Sequence, residues 1–175
     1  MNLFTVIIVN ETKINKEEQI DFFILINNFF KKFGHFSFLI DQKTNISLLN
    51  DIREKLTINF NEKYLENRFN INFDIFFYNI ISCFFINCFQ SHKDLLSLWD
   101  AMLIFSNLGY LKEFLVSACV TFFWIKKSNV DKCQNLNCLH QVFNEPLEKG
   151  CMFTKQVINL FKEMFGITSL KLIIK

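Results

Sequence analysis

Residues 73–89 read FDIFFYNIISCFFINCF, and the structure that this stretch adopts decides the fold class of the chain. The stretch is apolar on nearly every side, which in a helix marks a fully buried element. Its β-branched and aromatic residues would also suit a strand, but a typical strand runs to about 5–6 residues, far shorter than this stretch. We therefore predict a buried helix over residues 73–89 and an all-α fold.

Apolar residues recur at helical spacing on both sides of this stretch. The spacing predicts further helices over residues 18–32, 48–60, 94–105, 111–126, 135–143 and 154–165. Asn45 or Ser47 is a candidate N-cap for the second of these helices. Thr154 is a candidate N-cap for the last one, which Gly166 would close. One Pro and four Gly supply too few turn residues for a β-sandwich or barrel, which favours about seven helices.

The composition excludes several classes of protein. Hydrophobic residues make up 51% and charged residues 21% of the 175-residue chain, as in ordinary globular domains. Disordered, collagen-like and disulfide-scaffold chains are therefore excluded. The net charge of +2 is spread along the sequence, and the pairs Lys31–Lys32 and Lys126–Lys127 are predicted to be solvated helix ends. No nucleic-acid partner is expected, because its binding stripe would be denser and richer in Arg.

No membrane span or targeting segment is predicted. The longest apolar run, residues 75–89, contains Asn79 and Asn87 and is shorter than the roughly 20 apolar residues that a span needs. The N-terminus has no basic region before its apolar stretch, as a secretory signal would have. We therefore expect a soluble cytoplasmic protein with six reduced cysteines. Peripheral association with endomembranes stays open.

Some cysteines and histidines invite a chemical interpretation. The clearest candidate metal ligands are Cys133, Cys138, His140 and Cys151. Their spacing is wider than most zinc knuckles and they lie in a helix-like segment, so we predict no metal site. Cys83 and Cys88 are predicted to be small core residues. A nucleophilic Cys–His pair stays open, because such residues meet in space rather than in sequence. No P-loop, dinucleotide fingerprint or zincin motif occurs, and we expect no cofactor.

Two neighbouring segments, LLSLWD at residues 95–100 and FLVSACVTFF at residues 114–123, resemble the second half of a TBC domain. TBC domains are the catalytic domains of Rab GTPase-activating proteins. Other segments of this chain resemble further landmarks of the family, and they follow one another in the family's order. They are the acidic-x-aromatic-aromatic step, the buried helix before Trp–Asp, the turn after a short helix and a closing helix. The residues that carry the resemblance are Asp21, Phe22, Phe23, Leu98, Trp99, Asp100, Cys119 and Pro146.

The resemblance implies the C-terminal lobe of such a domain over residues 1–166, followed by a tail over residues 167–175. Met1-Asn2 and the apolar run after them resemble the segment that comes directly after the family's Y-x-Q-G motif. The family accelerates GTP hydrolysis with an arginine and a glutamine inserted in trans, and an arginine finger is worth about 10³–10⁵ in rate. Neither Arg53 nor Arg68 matches I-x-x-D-x-x-R, and no glutamine has a tyrosine two positions before it.

The resemblance therefore implies an activator of a Rab-type small GTPase in vesicle trafficking, which is not an enzyme itself. Without the two finger residues, this chain is expected to be inactive alone. Two alternatives stay open: a non-catalytic GTPase-binding or scaffold protein with a TBC-like lobe, and a helical membrane-associated protein. We expect Trp99 to fill the core between helices. We expect Asp100 to accept hydrogen bonds from backbone N–H groups near a helix junction.

Overall fold

The computed structural model describes residues 42–60, 68–150 and 152–166, and about 79% of these residues are helical. Among them, the chain forms no named strand, which confirms the predicted all-α class. The described helices are α1 Gln42–Phe60, α2 Asp74–Ser82, α3 His92–Asn107, α4 Leu111–Lys132, α5 Leu136–Asn144 and α6 Phe153–Phe165. The predicted helix over residues 18–32, the motif residues Asp21, Phe22 and Phe23, and the tail lie outside the described residues.

Helix α4 lies at the centre of the fold. Every residue from Phe114 to Phe123 is buried, because α1, α2, α3, α5 and α6 all pack against this helix. The helix extends to Lys132, beyond the predicted end at Lys126. No described helix, α4 included, combines the length and the apolar composition that crossing a bilayer requires.

The prediction of one continuous helix over residues 73–89 is wrong. Helix α2 ends at Ser82, and Phe84 and Phe85 take left-handed φ angles of 50° and 60°. A 3-10 turn over Ile86–Cys88 follows, and Phe89 then pairs with Leu147 in an isolated parallel bridge. A left-handed residue with a side chain costs roughly 1–2 kcal/mol. Burial of both phenylalanine rings offsets that cost.

Helix α2 is also less buried than its apolar sequence predicts. Ile75 and Tyr78 are exposed on it, whereas Phe76, Phe77 and Ile80 are buried. A short helix at the side of the bundle has one face turned to solvent, even where apolar residues occupy that face. Apolar character on all sides of a segment therefore does not place it at the centre of a bundle.

Helix ends follow the expected capping chemistry at some positions and depart from it at others. The Ser91 hydroxyl accepts from the Asp94 N–H at the start of α3, and the Asn135 side-chain oxygen accepts from the Cys138 N–H at 2.9 Å at the start of α5. Gly166 closes α6 in the left-handed conformation, as predicted. The predicted N-cap of α6 is wrong, because this helix begins at Phe153 after a left-handed Met152. Helix α1 likewise begins before its predicted caps, at Gln42.

Phenylalanine rings join the helices in two clusters. In the first cluster, Phe143 of α5 stacks on Phe76 of α2 with ring centroids 4.4 Å apart, and it also contacts Phe73, Phe77, Phe122 and Phe123. In the second cluster, Phe105 of α3 stacks on Phe114 of α4 at 4.4 Å and meets Phe161 of α6 at 4.6 Å. Such ring pairs add roughly 0.5–1.5 kcal/mol each beyond their buried area.

A buried hydroxyl inside α4 yields a stability prediction. The Thr121 Oγ1 is buried and has no hydrogen-bond partner among the described residues. Thr121→Val keeps the shape of the side chain and removes the unpaired hydroxyl, so we expect the free energy of unfolding to rise by about 1 kcal/mol. Urea unfolding followed by circular dichroism would measure the change. Ser117→Ala is the matched control, because the Ser117 hydroxyl donates to the Glu113 carbonyl at 2.9 Å. A less stable Thr121→Val protein would contradict this account.

Candidate functional site

Trp99 lies at the junction between α3 and the turn that follows α2. Its side chain is 7% exposed, and its indole N–H donates to the Phe84 carbonyl at 2.9 Å. Leu95, Leu98 and Met102, which are near Trp99 in the sequence of the same helix, are buried as well. The predicted core position of Trp99 is confirmed. Its hydrogen bond satisfies the backbone carbonyl of Phe84, which lies in the left-handed turn beyond the end of α2.

Asp100 differs from its expected environment. It lies in the interior of α3 and is exposed, and no hydrogen bond or ion pair joins it to the described residues. Mid-helix N–H groups are already bonded within the helix, whereas free N–H groups occur at helix starts and in turns. Asp94, in the first turn of the same helix, takes the role expected of Asp100, since its carboxylate accepts from the Gly150 N–H at 3.1 Å.

The remaining described motif residues are components of the packing. Leu98 and Cys119 are fully buried, the first on α3 and the second at the centre of α4. Pro146 follows Glu145, the C-cap of α5, so the short helix ends before the proline as predicted.

Both arginines bind other parts of the fold. The Arg53 guanidinium on α1 forms an ion pair with the Asp74 carboxylate and donates to the Asn72 side-chain oxygen at 3.2 Å. The Arg68 guanidinium donates to the carbonyls of Asp131 and Cys133 at the C-terminal end of α4. Helix ends leave carbonyl groups without partners, and a cation also suits the negative end of the helix dipole. Each arginine therefore links elements that are distant in sequence.

A cleft of about 350 Å³ opens between α2, the turn after it and α5. Its volume lies at the lower end of the range of small-ligand sites, about 300–1,000 Å³. Aromatic rings form part of its wall, and the His140 ring lies 4.9 Å from the Phe76 ring. The polar side chains that line it are Asn79, Cys83, Asn87, His140 and Asn144.

The cleft brings together residues that sequence reasoning treated separately. Cys83, Cys88 and His140 line the same cleft, so within the described residues this cleft is a place where a Cys–His pair could form. Cys83 is exposed, which corrects the prediction that it is a core residue, whereas Cys88 is buried as predicted. Burial raises the pKa of the Cys88 thiol to about 12. Cys88 is therefore a protonated wall residue rather than a ready nucleophile.

Lys126 was predicted to lie at a solvated helix end, and this prediction is wrong. It is 5% exposed, and its Nζ donates to the Glu145 carbonyl at 2.6 Å at the C-terminal end of α5. Burial lowers the pKa of the Lys126 ammonium, and the nearby Glu145, Cys88 and Glu148 act in the opposite direction. The ammonium thus caps a helix end from inside the fold.

The sequence contains a signal that could have identified this buried lysine. Phe122 precedes Lys126 by one helical turn and Val130 follows it by one turn, so the three residues share a face of α4. Phe122 and Val130 are both buried. Lys127, the other member of the pair, forms an ion pair with Asp131 at 2.6 Å and remains closer to solvent.

The candidate zinc ligands do not converge within the described part of the chain. There, no group of three or more His, Cys, Asp or Glu side chains is placed to hold a metal ion. The Cys133 thiol donates to the Asn129 carbonyl at 3.4 Å, and the His140 ring lies against Phe76. Cys151 lies outside the described residues, so the absence of a zinc site stays a prediction.

Comparison of the chain with family models, with curated proteins and with solved structures gives no match. The resemblance to TBC domains therefore depends on the sequence landmarks alone, chiefly residues 95–100 and 114–123.

Proposed function

We propose that the chain is a helical lobe of the TBC type and that its partner is a Rab-type small GTPase. The order of elements supports this proposal. A helix with buried phenylalanines precedes the helix that carries Trp99, a helix whose residues 114–123 are all buried follows it, and a short helix ends before Pro146. The described landmarks of the resemblance thus lie on separate helices, which supports the proposal.

The exposed carboxylate of Asp100 is the observation that carries the proposal. Trp99 anchors α3 to the core through its buried indole, while the next residue presents a charge to solvent without a partner among the described residues. A charge on an anchored helix costs little to order on binding. It also suits a basic side chain on the partner, because complementary charges steer encounter and fix register.

The proposed role is binding rather than acceleration of GTP hydrolysis by these residues. The transition state of phosphoryl transfer needs a cation and a group that orients the attacking water. Arg53 and Arg68 match neither finger motif, and both guanidinium groups hold parts of the fold together. Withdrawing Arg53 would break its ion pair with Asp74, and withdrawing Arg68 would remove a donor from the carbonyls at the end of α4.

The test is binding of the full chain to a panel of Rab proteins, each loaded with a GTP analogue or with GDP. We expect at least one Rab to bind in one nucleotide state, and Asp100→Asn to weaken that binding about tenfold, equal to about 1.4 kcal/mol. Glu54→Gln is the matched control, since it removes an exposed carboxylate from α1. Asp100→Asn should leave the melting temperature unchanged, because the side chain makes no contact that stabilises the described fold.

Two outcomes would count against the proposal. Binding to no Rab in either nucleotide state would remove the GTPase as the partner. Equal affinities of the Asp100→Asn and Glu54→Gln proteins would remove Asp100 as the contact. Single-turnover GTP hydrolysis adds a separate readout, and a rate increase of about tenfold or more would show that a residue of this chain acts as a finger.

A further inference from the structure

The cleft between α2, the turn after it and α5 has an apolar inner wall and a polar rim. The lining residues that are buried form the inner wall: Phe76, Ile80, Phe85, Cys88 and Phe143. The lining residues that are exposed form the rim: Asn79, Cys83, Asn87, His140 and Asn144. An apolar interior with a few polar groups at fixed positions is the usual composition of a small-ligand site.

The rim residues lie on three neighbouring segments of ordered backbone. Asn79 and Cys83 are one helical turn apart at the end of α2, so they lie on one face of that helix. His140 and Asn144 have the same spacing on α5, and Asn87 lies in the 3-10 turn. A backbone that is already ordered has little freedom left to lose on binding, which favours affinity for a ligand.

The turn beside the cleft has an unfavourable backbone conformation. Phe84 and Phe85 are both left-handed, and Phe85 lines the cleft. Residues with side chains persist in this conformation only where the surrounding structure holds them, and they are frequent at ligand sites. Here the left-handed pair follows the end of α2 and redirects the chain, which brings Asn87 to the cleft.

An aromatic surface runs from the inner wall to the rim. The Phe143 and Phe76 rings stack with centroids 4.4 Å apart, and the His140 ring lies 4.9 Å from the Phe76 ring. His140 itself is exposed, so its ring offers a surface on which a planar molecule can stack. The cleft is therefore suited to a flat aromatic ligand.

The polar groups of the cleft are suited to an uncharged ligand. No Asp, Glu, Lys or Arg is among the described residues that line it, so a charged ligand would lose hydration and meet no opposite charge there. Each rim asparagine offers an amide with two donors and one acceptor. Within the part of the chain that the structure describes, no hydrogen bond uses the side chains of Asn79, Asn87 and Asn144.

We propose that this cleft binds an uncharged heteroaromatic molecule that carries both hydrogen-bond donors and acceptors, which is the chemistry of a nucleobase. The planar ring lies against the His140 ring, and the polar edge of the ligand pairs with the rim amides. An asparagine amide can donate one hydrogen bond to the edge of a base and accept another from it. This site uses none of the residues that carry the proposed GTPase binding, so either proposal can fail without the other.

The test measures how far a ligand protects Cys83 of the full reduced chain from iodoacetamide. The probes are adenine, cytosine, uracil and nicotinamide, with benzoate as a charged comparator and toluene as an apolar one. Mass spectrometry of the peptides gives the alkylation rate at each cysteine. We expect at least one uncharged heteroaromatic probe to slow alkylation of Cys83 about fivefold or more near saturation. Cys138 is half-buried and does not line the cleft, so its rate should stay unchanged.

A double variant tests the rim amides. Asn79→Ala with Asn144→Ala is expected to weaken binding about tenfold, measured from the concentration dependence of Cys83 protection. Asn107→Ala is the matched control, because Asn107 is an exposed asparagine that ends α3 as Asn144 ends α5, and it does not line the cleft. Circular dichroism should show both variants folded, since the replaced side chains are exposed.

Three results would overturn the proposal. The first is that no heteroaromatic probe slows alkylation of Cys83 in the unmodified chain, a measurement that needs no variant to fold. The second is that benzoate or toluene protects Cys83 as strongly as the heteroaromatic probes do. The third is that the Asn107→Ala protein loses as much affinity as the double variant.

Discussion

Replacing Trp99 with alanine is expected to lower the free energy of unfolding by about 3–5 kcal/mol, as for other large core residues. The indole fills the junction between α3 and the turn after α2, and its N–H satisfies the Phe84 carbonyl. Truncation removes the apolar contacts and the hydrogen bond that the indole N–H donates to the Phe84 carbonyl. Because domains are stable by only about 5–15 kcal/mol in total, the variant should unfold at much lower urea concentration.

Two further variants separate packing from hydrogen bonding at Trp99. Trp99→Phe keeps much of the ring and loses the N–H, so we expect a smaller loss of about 1–3 kcal/mol. Trp124→Ala is the matched control, because the other tryptophan of the chain is 55% exposed on α4. Its removal should change stability by about 0.5 kcal/mol or less. Equal urea midpoints for Trp99→Ala and Trp124→Ala would show that Trp99 does not stabilise the junction.

The second large effect is expected at alkaline pH, where the chain should lose stability above about pH 9. Burial raises the pKa of Cys88 to about 12 and that of Cys119 well above its ordinary value of 9.0. Burial also raises the pKa of Cys133 to about 11. The folded chain therefore keeps these protons where the unfolded chain releases them. Each such thiol costs about 1.4 kcal/mol per pH unit between its unfolded and folded pKa values.

Lys126 acts in the opposite direction over part of this range. Its pKa is lowered in the folded chain from the ordinary 10.5. Just below pH 10.5 the unfolded chain therefore binds more protons than the folded chain, and this lysine makes the free energy of unfolding rise with pH. Because one lysine acts against three thiols, we expect a net loss of stability as the pH rises. Melting temperatures measured with a reductant from about pH 8 to about pH 11 would test this. The Cys88→Ala, Cys119→Ala double variant should show a shallower slope, and an equal slope would contradict the assignment.

The sequence predicted the helices whose apolar residues follow a simple spacing. Leu48, Ile52 and Leu56 line one face of α1 and are buried, since a helix at the side of a bundle has one buried stripe. The break after Ser82 could not be predicted in this way. It depends on contacts from distant parts of the chain, namely the Trp99 indole on the Phe84 carbonyl and the pairing of Phe89 with Leu147.

The candidate site was less accessible to sequence reasoning than the fold. The cleft combines residues of α2 and its turn with residues of α5, and its asparagines have no distinctive spacing. The prediction for Lys126 was wrong because it considered only the charge of the lysine pair. Whether a lysine on a helix is buried depends instead on the residues that share its helical face. Asp100 was expected to bond backbone N–H groups near a helix junction, but it lies inside α3, where such groups are already bonded within the helix.

The bridge between Phe89 and Leu147 has a consequence for the order in which the chain folds. The Leu147 N–H donates to the Cys88 carbonyl at 2.7 Å, and the Gln90 N–H donates to the Leu147 carbonyl at 3.1 Å. Helices α3, α4 and α5 all lie between the two bridged segments. Closing so long a loop costs entropy that two hydrogen bonds do not repay, so we expect the pairing to form only after those helices have assembled. The bridge should then close late in folding, once the intervening helices have brought Cys88 and Leu147 together.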